Sequence, residues 1–99
     1  METITVYVSI GNSDDKLTQE RWAEFFARTS DAVQTFSRHV HGEWASLPNA
    51  RWQNACWCFE PHPDDIDVMR EVLAKLASRF GQDSIAWAVA TTEFVKPAG

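Results

Sequence analysis

Residues 3–10, TITVYVSI, alternate without a break. Ile4, Val6, Val8 and Ile10 fall on one face, and Thr3, Thr5, Tyr7 and Ser9 on the other. Successive side chains of a strand point to opposite sides, so this pattern predicts a strand with one buried face. Such a strand needs a covering layer, and the chain supplies it next. Over 18–38, Trp22, Phe25, Phe26, Val33 and Phe36 recur at helical spacing with Thr29 in their stripe. Glu20, Glu24, Arg28, Asp31 and Arg38 lie elsewhere, as a solvated face requires. Thr18 is placed to cap this helix, with Leu17 and Trp22 at the spacing of a hydrophobic staple. Gly11 is expected to end the first strand in a positive-φ turn.

The rest of the chain repeats the strand and helix signals in a new order. Residues 39–46 and 51–59 read as strands, and Leu47, Pro48, Asn49 and Ala50 between them are turn residues. Glu60, Pro61, His62, Pro63, Asp64 and Asp65 lead into a second helix over 64–80. Its prolines suit a chain entering a first turn, and its acids suit the positive end of the helix dipole. Ile66, Met69, Val72, Leu73, Leu76 and Phe80 form its apolar stripe, and Gly81 is placed to stop it. A last strand over 84–95 and a tail over 96–99 complete a single domain, 1–99.

Strand, helix, strand, strand, helix, strand predicts an α+β fold: a two-layer ferredoxin-like βαββαβ sandwich with antiparallel sheet order 4-1-3-2. Both crossovers are expected to be right-handed. The 99 residues suffice for one core without disulfides.

This topology gathers three loops at one end of the sheet. The first loop brings Asn12, Ser13, Asp14 and Asp15. The hairpin brings Asn49, Arg51, Gln53 and Asn54, and the loop before the last strand brings Gln82, Asp83 and Ser84. Amides, carboxylates and one guanidinium beside Trp22, Trp44 and Trp52 suit the orientation of a small polar ligand, nucleotide-like or polyhydroxylated. Asn12, Ser13, Asp14, Asp15, Arg51, Gln53, Asn54, Gln82 and Asp83 are therefore the candidate ligand-binding residues.

The sheet face away from the helices is the second candidate surface. In one register of the hairpin His41, Glu43, Gln53, Trp57 and Phe59 point outward beside Tyr7. In the other, Val40, Trp44, Asn54, Cys56 and Cys58 do. Valine and cysteine prefer burial, which favours the first. Either choice exposes a large aromatic, and such a patch points to an interface, with a second copy of the chain as the expected partner. Tyr7, His41, Glu43, Trp57 and Phe59 are the expected interface residues.

Val6-Tyr7-Val8 followed by Gly11-Asn12 is loosely similar to the first signature of RNA-recognition motifs, which share this fold and stack bases on strands 1 and 3. Trp57-Cys58-Phe59 is a distant echo of the second. The basic-Gly-aromatic opening of that signature is absent, and Arg51-Trp52-Gln53-Asn54 stands there. The net charge is −5, from 14 acidic and 9 basic residues. A broad phosphate footprint needs clustered cations, so nucleic acid is not the expected partner. The charge instead suggests an alternative role: an acidic module of inhibitor or antitoxin type that masks a basic surface on a larger protein.

Covalent and metal chemistry find little support. His39 and His41 share a strand face with His62 and Asp64 nearby, but no zinc-ligand spacing occurs. No GxSxG, P-loop or GxGxxG is present, and Cys56 and Cys58 sit mid-strand among tryptophans, where burial opposes thiolate formation. A binding protein without cofactor or metal is expected rather than an enzyme. No apolar run approaches the ~18 residues that cross a membrane, and the first residues carry no basic leader, so a cytoplasmic location with reduced thiols is expected.

Overall fold

The computed structural model describes residues 3–12, 16–48, 50 and 52–99. β1 (Thr3–Gly11) leads to α1 (Gln19–Phe36), β2 (Ser37–Ala45) and β3 (Asn54–Pro61). A single 3-10 turn (Pro63–Asp65) then opens α2 (Ile66–Arg79), and β4 (Ala86–Thr92) follows. The four strands form one antiparallel sheet in the order β2-β3-β1-β4, as the element order predicts.

Local chemistry explains the boundaries. Thr18 caps α1, its Oγ1 accepting from the Arg21 N–H at 3.2 Å, while Leu17 is buried. The helix runs straight into β2 without a loop, and the Ser37 hydroxyl donates to the Val33 carbonyl at the junction. The Phe80 N–H bonds the Leu76 carbonyl at the end of α2, and Gly81 adopts the expected left-handed conformation, with φ of 63°. Gly11 corrects its expectation. It lies outside the positive-φ glycines and stays in the ladder, paired with Asn54, so β1 ends through the Asn12 side chain rather than a glycine turn.

The core lies between the helices and the face of Val6, Val8 and Ile10. Phe25 stacks on Phe80 at 4.9 Å, and Phe26 meets Trp57 at 5.1 Å. Thr29, fully buried, donates its hydroxyl to the Phe25 carbonyl at 2.8 Å. On the outer side of the helices, Glu24 bridges Arg21 (2.9 Å) and Arg79 (3.0 Å), tying α1 to the end of α2.

The facing of β2 and β3 departs from expectation. Trp57 and Phe59 are both 0 % exposed and pair with Val8 and Val6 in the core, while Cys56 and Cys58 take the open face beside Ser9 and Tyr7. Indole and phenyl rings bury far more apolar surface than a thiol, and α1 presents phenylalanines for them to meet. The two registers were not exclusive, because β2 contains a bulge between Val40 and Gly42. One extra residue reverses the alternation. Val40 therefore pairs with Phe59 and Glu43 with Trp57 on the core side, while Trp44 pairs with Cys56 on the open side.

Candidate functional site

The structure brings two of the expected loop-end residues together and closes them on each other. Asn12 is 1 % exposed and Gln53 5 %. The Asn12 backbone N–H bonds the Gln53 carbonyl at 2.8 Å. Its side-chain amide donates to the Leu17 carbonyl (3.0 Å) and to Gln53 Oε1 (3.1 Å), and its Oδ1 accepts from the Leu17 N–H (3.0 Å). Gln53 in turn exchanges bonds with the Gln19 side chain at 2.7 and 3.0 Å. This cluster pins the end of β1, the start of β3 and the first turn of α1. It leaves its amides engaged with protein rather than aimed at a ligand.

The other candidates separate. Ser13, Asp14, Asp15, Asn49 and Arg51 lie outside the described residues. Asn54 is exposed at the start of β3, its N–H bonded to the Ser46 hydroxyl at 3.0 Å. Of the three expected tryptophan walls, Trp22 packs edge-on against Phe25, and Trp44 and Trp52 are more than half exposed.

Gln82 and Asp83 line a different feature, an open groove of about 490 Å³ between α2 and the start of β4. Leu73 and Ala77 contribute its apolar wall, and Ser78, Ser84, Gln82 and Asp83 its polar end. Arg70 reaches over Trp87, its guanidinium 5.7 Å from the ring centroid, and makes no ion pair among the described residues. Gln82 spends its Nε2 on the Phe80 carbonyl at 3.1 Å, which fixes the side chain and leaves its oxygen as an acceptor. Sequence reasoning named Gln82 and Asp83 but missed Arg70 and Trp87. Arg70, Leu73 and Ala77 are nevertheless spaced to share one side of a helix.

The open sheet face carries Thr5, Tyr7, His41, Cys58, Ala90 and Thr92 around a shallow cleft of about 470 Å³, with Phe94 at one end. His41 faces outward as expected, with the His39 ring 4.8 Å away. Gln53, Glu43, Trp57 and Phe59, expected here, serve the helix side instead. Glu43 accepts from the Trp57 indole N–H at 2.5 Å and from the Ser30 hydroxyl at 2.9 Å. With the strand-3 aromatics buried, Tyr7 is the one residue of the RNA-recognition comparison whose ring lies on this face. Its phenol hydrogen-bonds Cys58, which raises its pKa above the ordinary 10.0, with added repulsion from the Cys58 charge. Both cysteines are free thiols, and the described residues contain no cluster of three His, Cys, Asp or Glu side chains able to hold a metal.

These layers and this strand order define a ferredoxin-like α+β domain. No family model matches the chain, and no curated protein matches its sequence. Solved structures do share its shape. A hydroxynitrile lyase from Passiflora edulis superposes with a TM-score of 0.59 at 10% identity, over 96% of this chain and 98% of that one. An uncharacterised protein from Thermotoga maritima gives 0.51 at 6% identity, over 94% and 100%. A formyltetrahydrofolate deformylase from Pseudomonas syringae pv. tomato gives 0.53 at 15% identity over 92% of this chain, which spans only 28% of that enzyme. At such identities the likeness is one of fold. No helix of the described residues is long and apolar enough to cross a membrane.

Proposed function

We propose that this domain is a small-molecule-binding protein whose ligand lies in the α2–β4 groove. The carrying observation is the pairing, in one open groove, of an Arg70 guanidinium that makes no ion pair among the described residues and a polar end made by Gln82, Asp83 and Ser84. A nucleotide-like ligand fits this layout. Arg70 takes an anionic group, the Trp87 indole supports a flat ring, and Asp83 and Ser84 bond hydroxyls. The site thus retains Gln82 and Asp83 from the loop-end expectation and replaces Asn12 and Gln53 with Arg70 and Trp87. Free Cys56 and Cys58 suit a reducing, cytoplasmic setting.

Thermal-shift screening and calorimetry with mononucleotides, sugar phosphates and polyols test the proposal. A true ligand at about 100 Kd adds about 2.7 kcal/mol of stability. Arg70→Ala and Asp83→Ala should each weaken binding about tenfold or more while leaving the unliganded melting temperature within a few degrees. Binding that survives both substitutions, or no binding by any member of the panel, rejects the groove as the site.

A second reading rests on the start of α2. Asp64, Asp65, Asp67 and Glu71 make no ion pair among the described residues. They are available to a basic protein surface, as the acidic-module alternative requires. A partner captured from the host in low salt, and released both by 0.5 M salt and by the Asp64→Asn/Asp67→Asn double variant, would favour this reading.

A further inference from the structure

We propose that the open sheet face is a self-association surface, and that a second copy of this chain covers it with β2 of one protomer lying over β4 of the other. The inference begins with charge. Strand pairing places Trp44, Cys56, Ser9 and Ala86 on one rung across the face, and Gly42, Cys58, Tyr7 and Ala88 on the next. Neither rung contains a charged side chain, in a protein that carries −5 overall. The nearest acids on this face stand at its margins, Glu60 on the following rung, 3.4 Å from Arg38, and Glu93 at the end of the cleft, so these two rungs form an uncharged patch within it.

Shape then selects the occupant. The face is bulky along β2 and low along β4. The Trp44 ring lies across Gly42, where an added Cβ would sit 3.1 Å from the indole. The ring therefore covers both rungs at the β2 edge. At the β4 edge the same two rungs carry only Ala86 and Ala88. Consider a two-fold axis between two such faces, parallel to the strands. It keeps every rung at its own level but exchanges left and right. The Trp44 indole of one protomer then sits on Ala86 and Ala88 of the other, twice, with the two Tyr7–Cys58 pairs facing each other at the centre. An isologous contact needs this kind of self-complementary step.

The area is adequate. Four strands about 4.8 Å apart, over about seven residues of about 3.3 Å each, span roughly 450 Å² in projection. Side-chain relief raises the buried surface towards the lower end of the standard range, about 600 Å² per partner. Trp44 is 56 % exposed and Tyr7 40 % in the isolated chain, so both have surface to bury. They are also residue types enriched where interface energy concentrates.

Sedimentation equilibrium on the full chain tests the proposal. Wild type should show twice the 11.2 kDa chain mass at about 50 μM. Ala88→Arg, which fills the space the partner's indole needs with a long side chain whose charge would be desolvated there, should return the mass to that of one chain, whereas Ala27→Arg on the exposed side of α1 should not. Circular dichroism of both variants checks that they fold. Orientation is tested separately in a Cys56→Ser/Cys58→Ser background that is itself confirmed to be folded and dimeric. Mild oxidation should link the Trp44→Cys/Ala86→Cys variant into a covalent dimer and leave Trp44→Cys alone unlinked. A monomeric wild type, a dimer that tolerates Ala88→Arg, or ready linkage of Trp44→Cys to itself overturns the proposal. Loss of ligand binding in the groove leaves these outcomes unchanged, because Arg70 and Trp87 take no part in the contact.

Discussion

At Asn12 one buried side chain holds three hydrogen bonds, two of them to the backbone of Leu17. Water cannot replace those partners without opening the junction of β1, β3 and α1, so the amide acts as a clasp. Asn12→Ala should cost about 2–3 kcal/mol, read as a lower urea midpoint with an unchanged slope. Asn12→Asp should be no rescue, since a carboxylate sets a second acceptor against the Leu17 carbonyl. An Asn12→Ala protein of wild-type stability would show that the amide is free for other work. Tyr7 offers a residue-scale pH test, because it is the only tyrosine in the chain and its ionisation is read directly at 295 nm. The hydrogen bond to Cys58 raises its folded pKa above the unfolded value. The corresponding stabilisation is therefore fully present below the unfolded pKa and is lost as pH rises through the folded one. Cys58→Ala should move the absorbance transition to lower pH, and an unmoved transition would remove Cys58 as the cause.

Among the elements, β2 does the least regular work. Its bulge lets Val40 and Glu43 serve the core side while His41 and Trp44 serve the open side. Glu43 closes the Trp57 indole N–H, the polar atom of a fully buried ring, and reaches Ser30 on α1 as well. Glu43→Ala should therefore cost about 1–3 kcal/mol in chemical denaturation, and Glu43→Gln, which keeps an acceptor, should recover most of it. Equal losses in both variants would assign the effect to charge instead. These elements also mark what the sequence could reveal. The alternation of β1, the apolar stripes of α1 and α2, the Thr18 cap and the strand order were legible, because each depends on near neighbours or on a regular period. The facing of β2 and β3 was not. The pattern was read with an unbroken period of two, and a bulge has no reliable signature in a single sequence. The Asn12–Gln53 closure was hidden for a related reason. Polar residues at converging loops look alike whether they await a ligand or bond each other, and only the register decides. The α2–β4 groove was half legible, through Gln82 and Asp83, while Arg70 and Trp87 needed the packing of α2 against the sheet.

For the whole molecule, the two faces of one sheet are treated differently. The helix side is filled by Trp57, Phe59 and the phenylalanines of α1, whereas the open side leaves Tyr7 and Trp44 in water. A 99-residue domain has a small core relative to its surface, so any apolar area buried on association adds a substantial fraction to its stability. Association through the open face would make that stability depend on concentration. Unfolding of a dimer to two chains gains about 1.4 kcal/mol of resistance for each tenfold rise in protein concentration. Its melting temperature should then rise by roughly 3–5 °C per decade. Ala88→Arg should flatten this dependence, because a monomer unfolds at a temperature independent of concentration, and its own melting point should match the dilute limit of the wild type. A wild-type melting temperature that stays constant from about 1 to 100 μM would mean that Trp44 and Tyr7 remain exposed in the working protein, and that their surface answers to a different partner.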